Sequence, residues 1–397
     1  MKKLLALLLA LAMIACLFVG CGETEDPTTP PAGNDAPTDA PAPDYSAWKV
    51  AMVTDYGDIT DQSFNQTTYE ACIKFAEDYG VDFRYYKPTD NSTPGRVASV
   101  ELAIAEGYNV IVMPGYAFGG TIVEVASEYP DVKFIALDVA AGDLLETAVA
   151  NAGETYDYNP DNWDLAKYVD MSNVYCAIYQ EELCGYMAGY AAVKLGYTKL
   201  GFLGGMAVPA VIRYGYGFVQ GADAAAKEMG VEIEINYTYG GQFFGDANIT
   251  AKMEGWYAAG TEVVFACGGG IYTSAVEAAK GHNGKVIGVD VDQYYIDEII
   301  ITSAMKQLQN VTETVLEALN TGAWETYGGK VTNFGLAEGE YVGLPTAETS
   351  WRLANYTVEE YEALKAQLAD GTIVVDNNSD DTIKPTVSDF TKPNYIG

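Results

Sequence analysis

Lys49-Val50-Ala51-Met52-Val53-Thr54-Asp55 is a short apolar run that ends on a carboxylate, and Ser63-Phe64-Asn65-Gln66 opens a helix-period segment just beyond it. A buried strand closed by a polar residue and followed by a helix is the first part of a parallel βαβ unit. Outward from there the alternation continues. A helix is expected over 63–79, a strand over 81–87, and a helix from about 95 in which Val97, Val100 and Ile104 share one face. Strands over 109–114 and 132–138 flank a helix over 121–128. A polar stretch over 150–170 interrupts the pattern, which then repeats. Strands are expected over 173–179, 199–203, 231–239, 262–267 and 285–290, with helices over 181–195, 209–229, from about 248, and over 272–280. The run 299–302 reads as a strand crossing back to the first half, and a helix from 311, a helix over 358–368 and a polar C-terminus complete the chain. The fold class is α/β, with two Rossmann-like lobes. Ala76-Glu77-Asp78-Tyr79-Gly80-Val81-Asp82 is echoed by Ala226-Lys227-Glu228-Met229-Gly230-Val231-Glu232, as two similar lobes would produce.

The N-terminal residues bear on the compartment. Met1-Lys2-Lys3 followed by the apolar run 4–19 predicts a secretory signal over 1–20. That run is shorter than the roughly 20 residues a spanning helix needs. Leu17-Phe18-Val19-Gly20-Cys21 resembles a bacterial lipobox, so Cys21 is the expected lipidation site, holding the protein to the extracytoplasmic face of the cell membrane. Residues 21–46 are rich in Pro, Thr, Asp and Ala with almost nothing to bury, the composition of a disordered tether. The rest exceeds what one core organises. One lobe is expected over 47–170 with part of 300–397, and the other over 171–300 with part of the C-terminal segment.

Composition removes whole classes of function. The net charge of −33 repels phosphate backbones, which argues against a nucleic-acid partner. His282 is the single histidine, so histidine triads and H-E-x-x-H metal sites are excluded. Cys72, Cys176, Cys184 and Cys267 lack zinc spacing, and their apolar neighbours predict buried free thiols. Gly215, Gly217 and Gly221 have a nucleotide-like spacing but lie inside a helix, which favours close helix packing over a cofactor. No catalytic residue, cofactor or metal is called for.

Open α/β sheets bind ligands at the carboxyl ends of their strands. Asp55, Asp138 and Asp290 each end an expected buried strand, where a carboxylate can accept paired hydrogen bonds from neighbouring hydroxyls. Helix capping or turn formation would account for any one of them, but three on strands of both lobes favour a ligand. Phe64 and Asn65 offer an aromatic face and an amide at the start of the first helix, and Phe243 and Phe244 lie in a strand-to-helix loop of the second half. Together they suggest a clamp for a flat heterocycle.

Val53-Thr54-Asp55, Ser63-Phe64-Asn65-Gln66, Lys133-Phe134-Ile135-Ala136-Leu137-Asp138, Gly204-Gly205-Met206 and Val286-Ile287-Gly288-Val289-Asp290-Val291-Asp292-Gln293 resemble, in order and spacing, the basic membrane protein family over about 49–370. The family consists of lipoprotein receptors of ABC transporters and includes purine nucleoside receptors. The resemblance implies a type I periplasmic-binding-protein fold with three crossover segments, a nucleoside ligand and a permease partner. It also implies that Phe64 and Phe243 sandwich a purine, with Phe244 the alternative second ring, and that Asn65 touches the base. Asp55, Asp138 and Asp290 would hold polar edges of the nucleoside, with Asp292 the alternative to Asp290. Gly269 would offer backbone, and Lys306 would donate to the ribose. The rival readings are a receptor for a sugar or signalling molecule on the same fold, and an exported nucleoside-processing enzyme.

Overall fold

A computed structural model describes residues 43–320 and 322–396. The expected signal segment, Cys21 and the tether as far as residue 42 lie outside the described residues. The described end of that tether departs from expectation. Tyr45 is buried, its ring 5.0 Å from Phe75 and 4.5 Å from Tyr79, with its hydroxyl donating to the Glu317 carbonyl.

The first half alternates strand and helix without exception: β1 (Lys49–Val53), α1 (Phe64–Tyr79), β2 (Asp82–Tyr86), α2 (Thr93–Ala105), β3 (Val110–Pro114), α3 (Phe118–Val125), β4 (Lys133–Leu137), α4 (Ala141–Asn151) and β5 (Val174–Tyr179). The second half runs α5 (Glu181–Lys194), β6 (Lys199–Gly204), α6 (Pro209–Met229), β7 (Ile233–Tyr239), α7 (Ala247–Ala258), β8 (Val263–Cys267), α8 (Tyr272–Lys280), β9 (Lys285–Asp290) and β10 (Ile300–Lys306). After it come α9 (Leu308–Glu317), α10 (Trp324–Tyr327), β11 (Lys330–Phe334), β12 (Val342–Gly343), α11 (Val358–Ala369) and β13 (Thr391–Tyr395).

These strands form two sheets, in the orders β11-β5-β4-β3-β1-β2 and β12-β10-β9-β8-β6-β7-β13. Apart from the antiparallel β10–β12 pair, every pairing is parallel. Helices cover both faces of such sheets, which is why the central strands β3 and β8 are wholly buried and read as unbroken apolar runs. Strand order reverses between β1 and β3 in one sheet and between β6 and β8 in the other, and a crevice opens at each reversal.

Long-range pairing overrides two of the expectations. The strand over 173–179, expected to begin the second lobe, is β5 and pairs with β4 in the first sheet. The run 299–302, expected to cross back, is the start of β10 and pairs with β9 in the second sheet. The polar stretch over 150–170 is therefore a surface excursion within the first lobe, pinned by Trp163 and Tyr168 against Leu145, Val149 and Tyr156. The chain instead changes sheet three times, from β5 to β6, from β10 to β11 and from β11 to β12. In addition, α4, β11 and the C-terminal β13 were not expected. β13 carries Pro393 in mid-strand, tolerated because the strand lies at a sheet edge. Among the described residues, no helix is long and apolar enough to cross a membrane, and the four cysteines are buried and unpaired.

Candidate binding cleft

The carboxyl ends of the two sheets line a partly open cavity between them, the place where α/β sheets bind ligands. All eight expected ligand-binding residues line it: Asp55, Phe64, Asn65, Asp138, Phe243, Gly269, Asp290 and Lys306. The two open alternatives separate by position. Phe243 faces the cavity whereas Phe244 is 58% exposed, and Asp292 is engaged by the Ser350 hydroxyl and the Tyr294 N–H, apart from the residues lining the cleft.

Each side chain is placed by its strand. Asp55 follows β1, and Gly115 follows β3 across the strand reversal with φ at +127°. A Cβ on Gly115 would fall 2.0 Å from the Asp55 carboxylate, so only glycine fits beside it. Asp138 and Asp290 close β4 and β9 with φ of 58° and 66°. Left-handed backbone is rare for residues other than glycine, although aspartate adopts it more readily than most, and such strain concentrates at functional sites. The turn carries each carboxylate out of its sheet and into the cleft.

Lys306, at the end of β10, holds the charged centre together. Its Nζ lies 2.5 Å from Asp138, 3.1 Å from Glu181 and 4.0 Å from Asp290. The rings of Phe64, Tyr179 and Tyr214 surround the same ammonium at 5.0, 5.3 and 5.7 Å. Burial opposes its charge, but the three carboxylates more than offset that and keep its pKa above the ordinary lysine value. Burial also raises Glu181, yet Arg213, whose Nε donates to it at 2.8 Å, and Lys306 together hold it below the usual carboxylate range. Asp290 is raised by burial against the pull of Lys306, and it accepts from Ser63 Oγ at 2.6 Å and Tyr214 OH at 3.4 Å. Burial pushes Asp138 up to about 6 against Lys306, and Asp55 up to about 6 against its backbone N–H partners and Arg96. Asp138 Oδ1 and Asn65 Oδ1 are buried acceptors with no partner among the described residues. A ligand supplying donors would satisfy both.

Glu181, Arg213, Tyr214, Tyr116 and Ser63 were missed in the sequence. Glu181 carried a readable signal, since it stands just beyond a strand end as the three aspartates do. Arg213 and Tyr214 sit inside the 21-residue α6 and carried none.

Two parallel sheets joined by three crossovers, with a cavity between their carboxyl ends, define a two-lobed solute-binding protein. Solved solute-binding proteins share this fold. One from Aeropyrum pernix superposes with a TM-score of 0.68 at 21% identity, covering 84% of this chain and 95% of its own. Another from Conexibacter woesei gives 0.60 at 23% identity, covering 83% and 99%. Residues 48–379 match the model of the PnrA-like ABC transporter substrate-binding proteins, and the chain belongs to that family. Its relatives include the ABC transporter nucleoside-binding protein BmpA of Lactococcus lactis, 25% identical over 351 residues that cover 82% of this chain and 88% of the relative. Basic membrane protein B of Borreliella burgdorferi is 27% identical over 307 residues, covering 75% and 81%. An uncharacterized lipoprotein of Pyrococcus furiosus is 24% identical over 351 residues, covering 85% and 80%.

Proposed function

We propose that this substrate-binding protein captures a nucleoside, with purine preferred, in the cleft and delivers it to an ABC transporter permease, without chemical change to the ligand. One observation carries the reading: aromatic rings from both lobes, Phe64 and Phe243, line the same cavity as buried strand-end carboxylates bridged by a lysine. Aromatic faces suit a planar base, and paired carboxylates with an ammonium suit the vicinal hydroxyls of a ribose. In this reading Asp138, Asp290 and Lys306 hold the sugar, Gly269 adds backbone, and Asp55 and Asn65 meet the base. The relative named as a nucleoside-binding protein supports it. The three crossovers act as a hinge, closure follows ligand capture, and the permease recognises the closed form. Cys21 carries the lipid that keeps the protein at the membrane, a reading supported by the lipoprotein relative.

Calorimetric titration of the full chain, stripped of carried-over ligand, with adenosine, guanosine, inosine, uridine and ribose tests this directly. Tight one-to-one binding of a purine nucleoside, with ribose silent, is the expected result. Binding of ribose alone would move the assignment to a sugar receptor, and consumption of the nucleoside would make the protein an enzyme.

A further inference from the structure

Asn65 lines the cleft at 4% exposure, and its amide is held from one side only. Nδ2 donates to Asp61 Oδ2 at 3.2 Å, while Oδ1 is buried and has no partner among the described residues. Asp61 is itself fixed by the first turn of α1. Its Oδ1 accepts the N–H groups of Ser63 and Gln66 at 2.9 and 3.0 Å, and its Oδ2 accepts the Asn65 N–H at 3.0 Å. This carboxylate caps the helix in place of the Ser63 side chain, which is left free to reach Asp290.

An ionised carboxylate accepts hydrogen bonds and donates none. The Asn65 amide therefore has one admissible orientation, nitrogen toward Asp61 and oxygen left over for the cleft. Gly57 makes the space, since a Cβ there would fall 1.9 Å from Asn65 Nδ2. Asp55, lining the same cavity, is a second acceptor when ionised.

We propose that Asp61 is a positioning residue for specificity: by fixing the Asn65 amide it pairs two acceptors, Asn65 and Asp55, and so selects nucleosides whose base presents N–H donors. This inference rests on the nucleoside reading above. A base without such donors leaves a buried acceptor unpaired, and sites built around a hydrogen bond reject analogues that lack it.

The test compares adenosine and guanosine with purine riboside, which has the same ring and sugar but no N–H on its base, by calorimetry on the full chain. The wild type is expected to bind the first two at least about tenfold more tightly. Asp61→Asn keeps an acceptor for the Ser63 and Gln66 N–H groups, gives up the one for the Asn65 backbone N–H, and turns a donor toward the Asn65 side chain. The Asn65 amide should then reverse, and the preference should fall to within about threefold or invert. Asn65→Leu provides a second variant that leaves the helix cap intact, and it should also erase the preference. If the wild type binds purine riboside as tightly as adenosine and guanosine, or if Asp61→Asn keeps the wild-type ratio, the role of Asp61 is overturned while the nucleoside reading stands. If none of the three nucleosides binds, both are overturned.

Discussion

Lys306 Nζ lies 2.5 Å from Asp138 Oδ2, and the two residues belong to different sheets. The ion pair therefore bridges the lobes at the cleft. Both side chains are nearly solvent-free, 2% and 11% exposed, so the pair is not screened as a surface pair would be.

Removing the cation should be costly. Lys306→Met leaves Asp138 and Asp290 without a cation in a buried site and Glu181 with Arg213 alone, with an expected loss of about 3–5 kcal/mol at neutral pH. Because protonating those carboxylates removes the uncompensated charge, the deficit should shrink as pH falls. Thermal unfolding of wild type and variant near neutrality and in mild acid checks both statements.

Phe243 and Phe244 should behave differently despite being neighbours. Phe243→Ala removes a ring that lines the cleft and should weaken nucleoside binding about tenfold, whereas Phe244→Ala alters a ring that is 58% exposed and should change it by less than about threefold. Phe64→Ala and Asp138→Ala are expected to match the first of these without unfolding the protein. Calorimetric affinities of the four variants decide it.

Binding should weaken in acid. Asp55 has its pKa raised from 3.8 to about 6, chiefly by burial, so the folded protein favours the neutral carboxyl. Ionising it costs stability as pH rises through the window from 3.8 to about 6, and its contribution to the unliganded fold is therefore larger on the acid side. A ligand donating to the carboxylate needs the ionised form, so affinity should drop about tenfold between pH 7 and pH 5 with proton release on binding near pH 6. In Asp55→Asn that pH slope should flatten. Titrations in buffers of different ionisation enthalpy give both quantities, and a Kd independent of pH would remove Asp55 from ligand recognition.

The α5–α6 contact should tolerate no added methyl. Cβ atoms on Gly185, Gly189, Gly217 and Gly221 would fall 2.2, 2.1, 2.1 and 1.9 Å from backbone carbonyl oxygens of the facing helix. Gly221→Ala is expected to lower stability by about 1–3 kcal/mol and, through the displacement of Arg213 and Tyr214 on the same helix, to weaken binding. Gly255→Ala in α7 meets nothing within 4 Å and should instead stabilise by about 0.5–1 kcal/mol. Denaturant titrations of the two variants would show opposite signs.

Much of this arrangement was legible locally. Apolar runs such as Val110–Pro114 and Val263–Cys267 announce strands buried on both faces, and the aspartates after β1, β4 and at the end of β9 announce where those sheets present polar groups. The nucleotide-like glycines of α6 were also readable as packing positions, because they occur within a helix.

Sheet membership was not legible. Nothing within Val174–Tyr179 says that its partner is β4, because parallel pairing joins segments separated by long connections, and nothing in Ile300–Lys306 says that it stays beside β9 and does not cross to the other sheet. The same holds for the cleft. Asp61, Arg213 and Tyr214 look like ordinary helix and loop residues until the chain folds and brings them beside Asn65, Glu181 and Asp290. Most of the strands and helices, and the aspartates that end three of the strands, follow from local hydrophobic period and backbone chemistry, which a linear sequence carries. Which strands share a sheet and which charges meet were settled by folding, because those depend on contacts that no local segment encodes.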